Sequence, residues 1–247
     1  MISHARSPLD HYDLFLRESG VTARLRAIIV DLDNTVFPSA TIPYRVLAPA
    51  IEALRSANTG PRALDDALVA KVIAESWTTA FDSVATKYHL SPEIQNAWTR
   101  AMSTIRLIEK IEPFADVWAL SRIPALRALV TTGYRIFQES KVAALDVQDL
   151  FDEIHIDALD DGHARLGKRA IFEGICRRHG IKPRDVLVAG DDPQSELRVG
   201  ATLGMRTVQV LRSGVSSSAD CEFHVNDFVE LAALFNKLRG SDEDVRP

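Results

Sequence analysis

Short apolar runs of strand length alternate with helical segments along most of this chain of 247 residues. The runs at 27–30, 128–131, 153–156, 186–189 and 207–210 are predicted strands. Helical spacing occupies residues 170–179 and 194–203, and residues 226–238 predict a closing helix. A repeated order of strand, helix and strand predicts a parallel sheet with helices on both faces. The sequence therefore predicts an α/β fold with a Rossmann-like core.

Residues 42–112 interrupt this alternation, because they contain no convincing strand. Apolar residues recur at helical spacing in the stretches 46–54 and 64–72. Ser91, Pro92 and Glu93 are typical of a helix start, with an N-cap, a first-position proline and a first-turn acid. An all-helical insert of this length exceeds an ordinary loop.

We therefore predict two domains. Residues 1–41 and 113–247 form the core, and residues 42–112 form a small all-helical cap domain. The hinges should lie near 37–43 and 112–114, where prolines occur.

Composition excludes several classes of protein. Hydrophobic residues make up 46% of the chain, as in a globular protein. Its 29 basic and 34 acidic residues leave a net charge of −5, which argues against a nucleic acid polymer as partner. The two cysteines cannot form a disulfide framework. Without a signal peptide or a bilayer-spanning apolar run, we expect a cytoplasmic monomer or homodimer that does not bind a membrane.

The first predicted strand runs directly into Asp31 and Asp33, followed by Asn34 and Thr35. Residues i and i+2 of a strand share a side, so both carboxylates can face one cavity. The carboxyl ends of parallel strands are where such sheets bind ligands. Two close carboxylates repel each other unless a proton or a metal intervenes. Oxygen ligands with little sulfur or imidazole favour Mg²⁺.

Three further sites occur at predicted strand ends or helix starts. The second strand ends in Thr131-Thr132-Gly133, where a hydroxyl and backbone N–H groups can form an anion pocket. Lys168 begins a helical segment, where its charge opposes the helix dipole. The fourth strand ends in Gly190-Asp191-Asp192, with Glu196 close behind. The order of these sites favours a shared function over chance.

The four sites together resemble the motifs of the haloacid dehalogenase (HAD) superfamily, and of its phosphatase branch in particular. The resemblance covers residues 26–44 and 113–235, and the insert resembles a helical cap between the first and second motifs. Three positions depart from the family pattern. Thr132 stands where Asn is common, Arg169 where Pro is usual, and Glu196 where Asp is commoner.

The resemblance implies a phosphomonoester hydrolase with an aspartyl-phosphate intermediate. Asp31 would be the nucleophile and Asp33 the general acid and base. Asp31, the main-chain carbonyl of Asp33 and Asp191 would hold Mg²⁺. The small phosphorylated substrate would be the main partner.

Further residues would bind or support the phosphoryl group. Thr131 and the N–H groups near Asn34 and Thr132 would bind its oxygens, and Lys168 would neutralise its charge. Lys141 is the less favoured alternative to Lys168, because it lies within a predicted helix. Asp192 and Glu196 would orient Lys168 or metal-bound water, and the sequence leaves open which of them does so.

Several alternatives stay open at this stage. A haloacid dehalogenase would use the same nucleophile without Mg²⁺. A phosphomutase would protect its phosphoenzyme from water. A catalytically silent binding protein would share only the fold. Among substrates we favour a nucleoside 5′-monophosphate over other small phosphomonoesters. Tyr44 and Arg45 lie at the first predicted hinge, whereas Trp77, Phe81 and Trp98 are predicted to form cap core.

Overall fold

A computed structural model describes residues 25–61 and 63–240. The prediction that the chain lacks a signal peptide concerns residues outside the described part. Six parallel strands form one sheet in the order β3-β2-β1-β4-β5-β6. They are β1 (Ala27–Val30), β2 (Leu126–Gly133), β3 (Glu153–Ala158), β4 (Val186–Gly190), β5 (Arg206–Val210) and β6 (Phe223–Val225). The predicted parallel α/β sheet is confirmed, and only β6 was missed, because three residues give too short a pattern.

The sheet is buried on both faces, as its nearly continuous apolar strands predict. Ile28 and Val30 face one apolar cluster, which includes α5 (Arg135–Leu145) and α8 (Phe228–Arg239). Ala27 and Ile29 face the other, with α6 (Gly167–His179) and α7 (Glu196–Thr202). This alternation follows from the two-residue period of a strand.

In its described part, the insert between β1 and β2 contains four α-helices joined by loops and has no strand, as the sequence predicts. Its helices are α1 (Tyr44–Ala57), α2 (Asp66–Glu75), α3 (Phe81–Lys87) and α4 (Pro92–Met102). The Asp65 side chain caps α2 by accepting a hydrogen bond from Leu68 N at 2.8 Å. Ser91 caps α4 through Ile94 N at 3.4 Å. Tyr44 is the first residue of α1 and follows directly on the predicted hinge at 37–43. The hinges and the domain boundaries stay predictions.

The two connections between insert and sheet meet at one point. Phe114 N donates a hydrogen bond to the Val36 carbonyl at 2.9 Å. The buried Arg212 guanidinium donates to the Thr35 carbonyl at 3.2 Å and to Asp116 Oδ2 at 2.8 Å. We call this arrangement the Arg212 clasp. It ties the outgoing and returning segments to the loop after β5.

None of the helices in the described part of the chain is long and apolar enough to cross a membrane.

Candidate active site

The chemically distinctive side chains of the sequence surround one cavity of about 130 Å³ at the carboxyl ends of the central strands. Its lining includes Asp31, Asp33, Thr131, Lys168 and Asp191. These residues follow or end β1, β2 and β4, or begin α6, so the sheet order brings them together. The cavity therefore lies where open parallel sheets bind ligands.

The turn after β1 sets the positions of the two aspartates. Asp31 N continues the strand pairing by donating to the Ala189 carbonyl at 3.0 Å. Asn34 adopts a left-handed backbone with φ of 56°, which Asn tolerates better than most residues. The side-chain oxygen of Asn34 accepts hydrogen bonds from Ser39 N at 3.1 Å and from Ser39 Oγ at 2.6 Å. This oxygen therefore holds the turn. Asn34 is not among the described residues that line the cavity, and phosphate binding by the N–H groups near it stays a prediction.

Lys168 occupies the centre of a buried ion-pair network. Its Nζ lies 2.9 Å from Asp31 Oδ1, 2.8 Å from Glu196 Oε2 and 3.1 Å from Ser195 Oγ. Asp192 instead accepts a hydrogen bond from Gln194 N at 2.8 Å. Glu196 is therefore the residue of the two that contacts Lys168, and Asp192 shapes the loop. Which of them orients metal-bound water stays a prediction.

A second lysine reaches the site, contrary to the expectation that Lys141 and Lys168 are alternatives. Lys141 Nζ lies 2.7 Å from Asp33 Oδ1, and its side chain is only 7% exposed. The ammonium group also lies 4.7 Å from the centroid of the Phe137 ring. Gln138 Nε2 donates to the other oxygen, Asp33 Oδ2, at 3.0 Å. Helix α5 therefore holds both oxygens of the Asp33 carboxylate.

Sequence reasoning gave Gln138 no role at the site. Its Nε2 lies 2.6 Å from Thr131 Oγ1 and 3.0 Å from the Thr132 carbonyl. The Thr131 hydroxyl oxygen accepts a hydrogen bond from the Gln138 amide. Its own proton can therefore point into the cavity. The Thr132 hydroxyl donates a hydrogen bond to Asp157 Oδ2 at 3.2 Å. The backbone N–H is therefore the group through which Thr132 would bind a phosphate.

Burial and crowding of like charges dominate the electrostatics of the cavity. Burial raises the pKa of Asp191 to about 7, and the charges of Glu196, Asp192 and Asp33 contribute. Burial also raises the pKa of Asp31 well above its usual range, although the Lys168 ammonium opposes this. Further positive charge beside the two carboxyls would therefore favour their ionised forms.

The donor set fits a hard divalent cation. No group of three or more His, Cys, Asp or Glu side chains in the described chain is arranged to hold a metal. The set implied by the sequence needs only two carboxylates, Asp31 and Asp191, and the main-chain carbonyl of Asp33. Because burial and mutual repulsion raise the pKa of both carboxyls, a cation beside them would relieve an unfavourable charge arrangement. Oxygen donors of this kind suit Mg²⁺.

Two glycines permit the close approach of site residues. A Cβ at Gly190 would lie 2.0 Å from Glu196 Oε1, and a Cβ at Gly133 would lie 2.8 Å from the Gln138 side chain. Glu196 Oε1 also accepts a hydrogen bond from Asp192 N at 3.1 Å. The strand-end glycines are therefore needed so that Glu196 and Gln138 can reach into the cavity.

An arginine links the insert to the core beside the cavity. Arg165 makes two hydrogen bonds to Asp157, at 3.0 and 2.8 Å. Its remaining nitrogen, Nη1, lies 2.6 Å from Asp82 Oδ2 in the first turn of α3. Asp157 also accepts hydrogen bonds from Thr132 and from Gly167 N, at 3.2 and 3.0 Å. The contact to α3 therefore adjoins both a phosphate-binding candidate and the start of the Lys168 helix.

The insert contributes part of the cavity wall. Phe81 and Trp98 are buried and stacked, with ring centroids 4.7 Å apart, and they belong both to the core and to the cavity lining. Trp77 is half-buried, packs against the same apolar cluster as Phe81 and Trp98, and also lines the cavity. Arg45 pairs with Glu109 outside this lining.

Comparisons with known proteins agree with this geometry. A family model described as haloacid dehalogenase-like hydrolase matches residues 25–204. The N-acylneuraminate-9-phosphatase of Rattus norvegicus is 25% identical over 246 residues, covering 87% of this chain and 96% of the relative. The glyceraldehyde 3-phosphate phosphatase of Methanopyrus kandleri is 24% identical over 205 residues, with coverages of 76% and 84%.

A solved structure gives the same fold. Magnesium-bound YfnB from Bacillus subtilis has a TM-score of 0.55 at 14% identity, covering 86% of this chain and 99% of its own. Because the family model spans most of the chain, the chain belongs to the haloacid dehalogenase-like hydrolases. Two of the relatives that it matches over most of their lengths are named as phosphatases.

Proposed function

We propose that the chain is a Mg²⁺-dependent phosphomonoester hydrolase that works through a phosphorylated Asp31. The observation that carries the proposal is the buried pair of Asp31 Oδ1 and Lys168 Nζ, 2.9 Å apart, with Asp33 two residues further along. The pair presents a nucleophile beside a fixed positive charge. Asp33 supplies a second carboxylate on the same side for proton transfer.

Hydrolysis then proceeds in two displacements. In the first, an Asp31 carboxylate oxygen bonds to phosphorus while the bond to the ester oxygen breaks, and Asp33 protonates the departing alcohol. In the second, Asp33 takes a proton from water, and the water oxygen bonds to phosphorus while the bond from phosphorus to Asp31 breaks. Inorganic phosphate leaves and the Asp31 carboxylate is restored. Thr131 and nearby N–H groups hold the phosphoryl oxygens, and Lys168 balances the charge that they carry.

Mg²⁺ would be held by Asp31, the Asp33 carbonyl and Asp191. The ion supplies positive charge that polarises the phosphoryl group and screens the carboxylates. The raised pKa of Asp191, about 7, supports this assignment because such a carboxyl is stabilised as an anion by a cation. The magnesium-bound relative has the same fold.

Small phosphorylated metabolites are the substrates that the cavity favours. The two phosphatase relatives are named for a sugar-acid phosphate and a triose phosphate, both of which are phosphomonoesters. A nucleoside 5′-monophosphate is our preferred example, because half-buried Trp77 lies in the wall where a leaving group would sit.

The test is to trap the phosphoenzyme. Enzyme, Mg²⁺ and ³²P-labelled substrate are quenched in acid, and we expect a hydroxylamine-labile label on Asp31. Asp31→Asn should lose the label and the activity while the fold is retained, because an amide is a poor nucleophile. Activity of Asp31→Asn within tenfold of the parent, or label on another residue, would overturn the proposal. Halide release from haloacids without Mg²⁺ would favour the dehalogenase alternative.

A further inference from the structure

Charge is distributed unevenly around the cavity. Of the described residues that line it, five carboxylates and two lysines lie on the sheet side. The turn between α2 and α3 contributes Ser76, Trp77, Thr78, Thr79 and Ala80, and α4 contributes Trp98 and Met102. The wall that faces the departing group is therefore built from hydroxyl, aromatic and aliphatic side chains.

Both lysines already have carboxylate partners. Lys141 pairs with Asp33, and Lys168 pairs with Asp31 and Glu196. A phosphate dianion adds to the excess of negative charge, and a bound divalent cation offsets only part of it. A second anionic group on the substrate would thus enter a site of net negative charge, and removing it from water without a partner is costly.

A neighbouring outer cavity of about 270 Å³ continues this uncharged surface. It is lined by Ser39, Ala40, Ile42, Tyr44, Trp77 and Thr78. Ser39, Ile42, Trp77 and Thr78 line both cavities, so the outer cavity adjoins the one that contains the carboxylates. The Tyr44 side chain is 59% exposed and offers an aromatic surface there.

We infer that the site selects phosphomonoesters by the charge of the leaving group. It accepts an uncharged alcohol with an apolar or aromatic face, and it rejects one that carries a carboxylate or a second phosphate near the ester. The inference rests on the proposed phosphatase function and adds a rule for choosing among substrates. Rejection comes from the lack of a compensating cation among the described residues of this wall, which discriminates without any steric difference.

A pair of three-carbon substrates tests the rule. Glycerol 3-phosphate has an uncharged leaving group, whereas 3-phosphoglycerate carries a carboxylate. At saturating Mg²⁺ we expect kcat/KM to be higher for glycerol 3-phosphate by about tenfold or more. An equal or higher value for 3-phosphoglycerate would overturn the charge rule and leave the phosphatase standing. If no phosphomonoester is hydrolysed, p-nitrophenyl phosphate included, the proposed function itself fails.

Thr78 offers a matched pair of variants, since it is exposed, lies in a turn and borders both cavities. Thr78→Lys adds the missing cation, and Thr78→Gln shows the effect of side-chain size without charge. We expect Thr78→Lys to shift the ratio of the two kcat/KM values towards 3-phosphoglycerate by about tenfold relative to Thr78→Gln. Identical ratios for the two variants would show that the charge of this wall does not set the preference.

Discussion

Asp33 is held from two sides at once. Lys141 binds one of its oxygens and Gln138 the other, at 2.7 and 3.0 Å. A carboxylate that must pass a proton to a departing oxygen needs a fixed direction as well as a suitable charge. We propose that helix α5 provides this orientation and that Lys141 is a positioning residue for Asp33.

Removing the Lys141 ammonium should affect poor leaving groups most. In Lys141→Met we expect kcat/KM for an alkyl phosphate to fall about 10²-fold, because the alkoxide needs a proton from Asp33. The value for p-nitrophenyl phosphate should fall much less, because p-nitrophenolate leaves unprotonated. The ratio kcat/KM reports only the steps up to departure of the leaving group, so the water step does not obscure the comparison.

Lys87→Met is the matched control for this prediction, since Lys87 is an exposed cap lysine outside the cavity lining that pairs with Glu75. We expect it to leave the ratio between the two substrates unchanged. Equal losses for alkyl and aryl substrates in Lys141→Met would contradict the positioning role.

The pKa of Asp191 predicts how pH and Mg²⁺ act together on stability. Burial raises the pKa of Asp191 to about 7 in the folded metal-free chain. Between the ordinary pH of carboxyl titration and pH 7, the folded chain therefore binds more protons than the unfolded chain. Its free energy of unfolding should therefore decrease as pH rises through that window and level off above it. Mg²⁺ binds the ionised carboxyl, so it should raise Tm more at pH 8 than at pH 6.

Thermal unfolding with Mg²⁺ or with chelator, at both pH values, measures this effect. Asp191→Asn should raise the Tm of the metal-free protein at pH 8. It should also remove most of the increase in Tm that Mg²⁺ causes in the parent. Asp149→Asn alters an exposed acid and should keep the parental pattern. If Mg²⁺ raises Tm by the same amount at both pH values, Asp191 is not a ligand.

At the scale of elements, the loop from β4 to α7 shows how a strand end supports a charge network. The loop needs Gly190, because Glu196 folds back over it to reach Lys168. In Gly190→Ala the new Cβ would force Glu196 aside. We expect kcat to fall at least tenfold, the scale on which loss of an outer-shell partner affects a site.

Gly174→Ala is the control, because the atom nearest to its new Cβ is the flexible end of Arg178, 3.3 Å away. It should retain activity. The losses of kcat in Gly190→Ala and Glu196→Ala should not be additive in the double variant, because both changes disrupt the contact between Glu196 and Lys168. Full additivity would mean that Gly190 acts by another route.

The elements that the sequence predicted well are those with one strong apolar period. All five predicted strands lie within observed ones, and the insert is helical. The sequence analysis placed Lys141 below Lys168 as a site residue, because a lysine in a helix is normally solvated. Phe137 lies one turn earlier on the same buried face of α5, and that position could have indicated that Lys141 points inward. The Arg165 contacts join distant segments and leave no local pattern.

At the scale of the whole molecule, access to the cavity depends on how the insert sits over the core. The ion pair of Asp82 and Arg165 joins the two, and its side chains are 45% and 30% exposed. A partly exposed pair contributes little, so it can hold the insert in place and still release it. We therefore propose that the insert moves as a lid during turnover.

Asp82→Asn should loosen this lid contact. We expect KM to rise about two- to fivefold, as a partly exposed ion pair allows, with kcat nearly unchanged. Asp66→Asn is the control, since it also neutralises a first-turn acid of a helix in the insert. Steady-state kinetics with one good substrate distinguish them. Equal KM values for the two variants would show that the Asp82 contact does not govern access.

The Arg212 clasp has a consequence for how this architecture can vary between proteins. Because Val36 and Phe114 meet through one hydrogen bond, the insert leaves and re-enters the core at a single place. Closing a loop between fixed ends costs only about 0.6 kcal/mol more for each doubling of its length. An insert can therefore lengthen, shorten or be exchanged for another while the sheet and its carboxylates stay in register. Substrate range and chemistry can thus evolve separately within one gene.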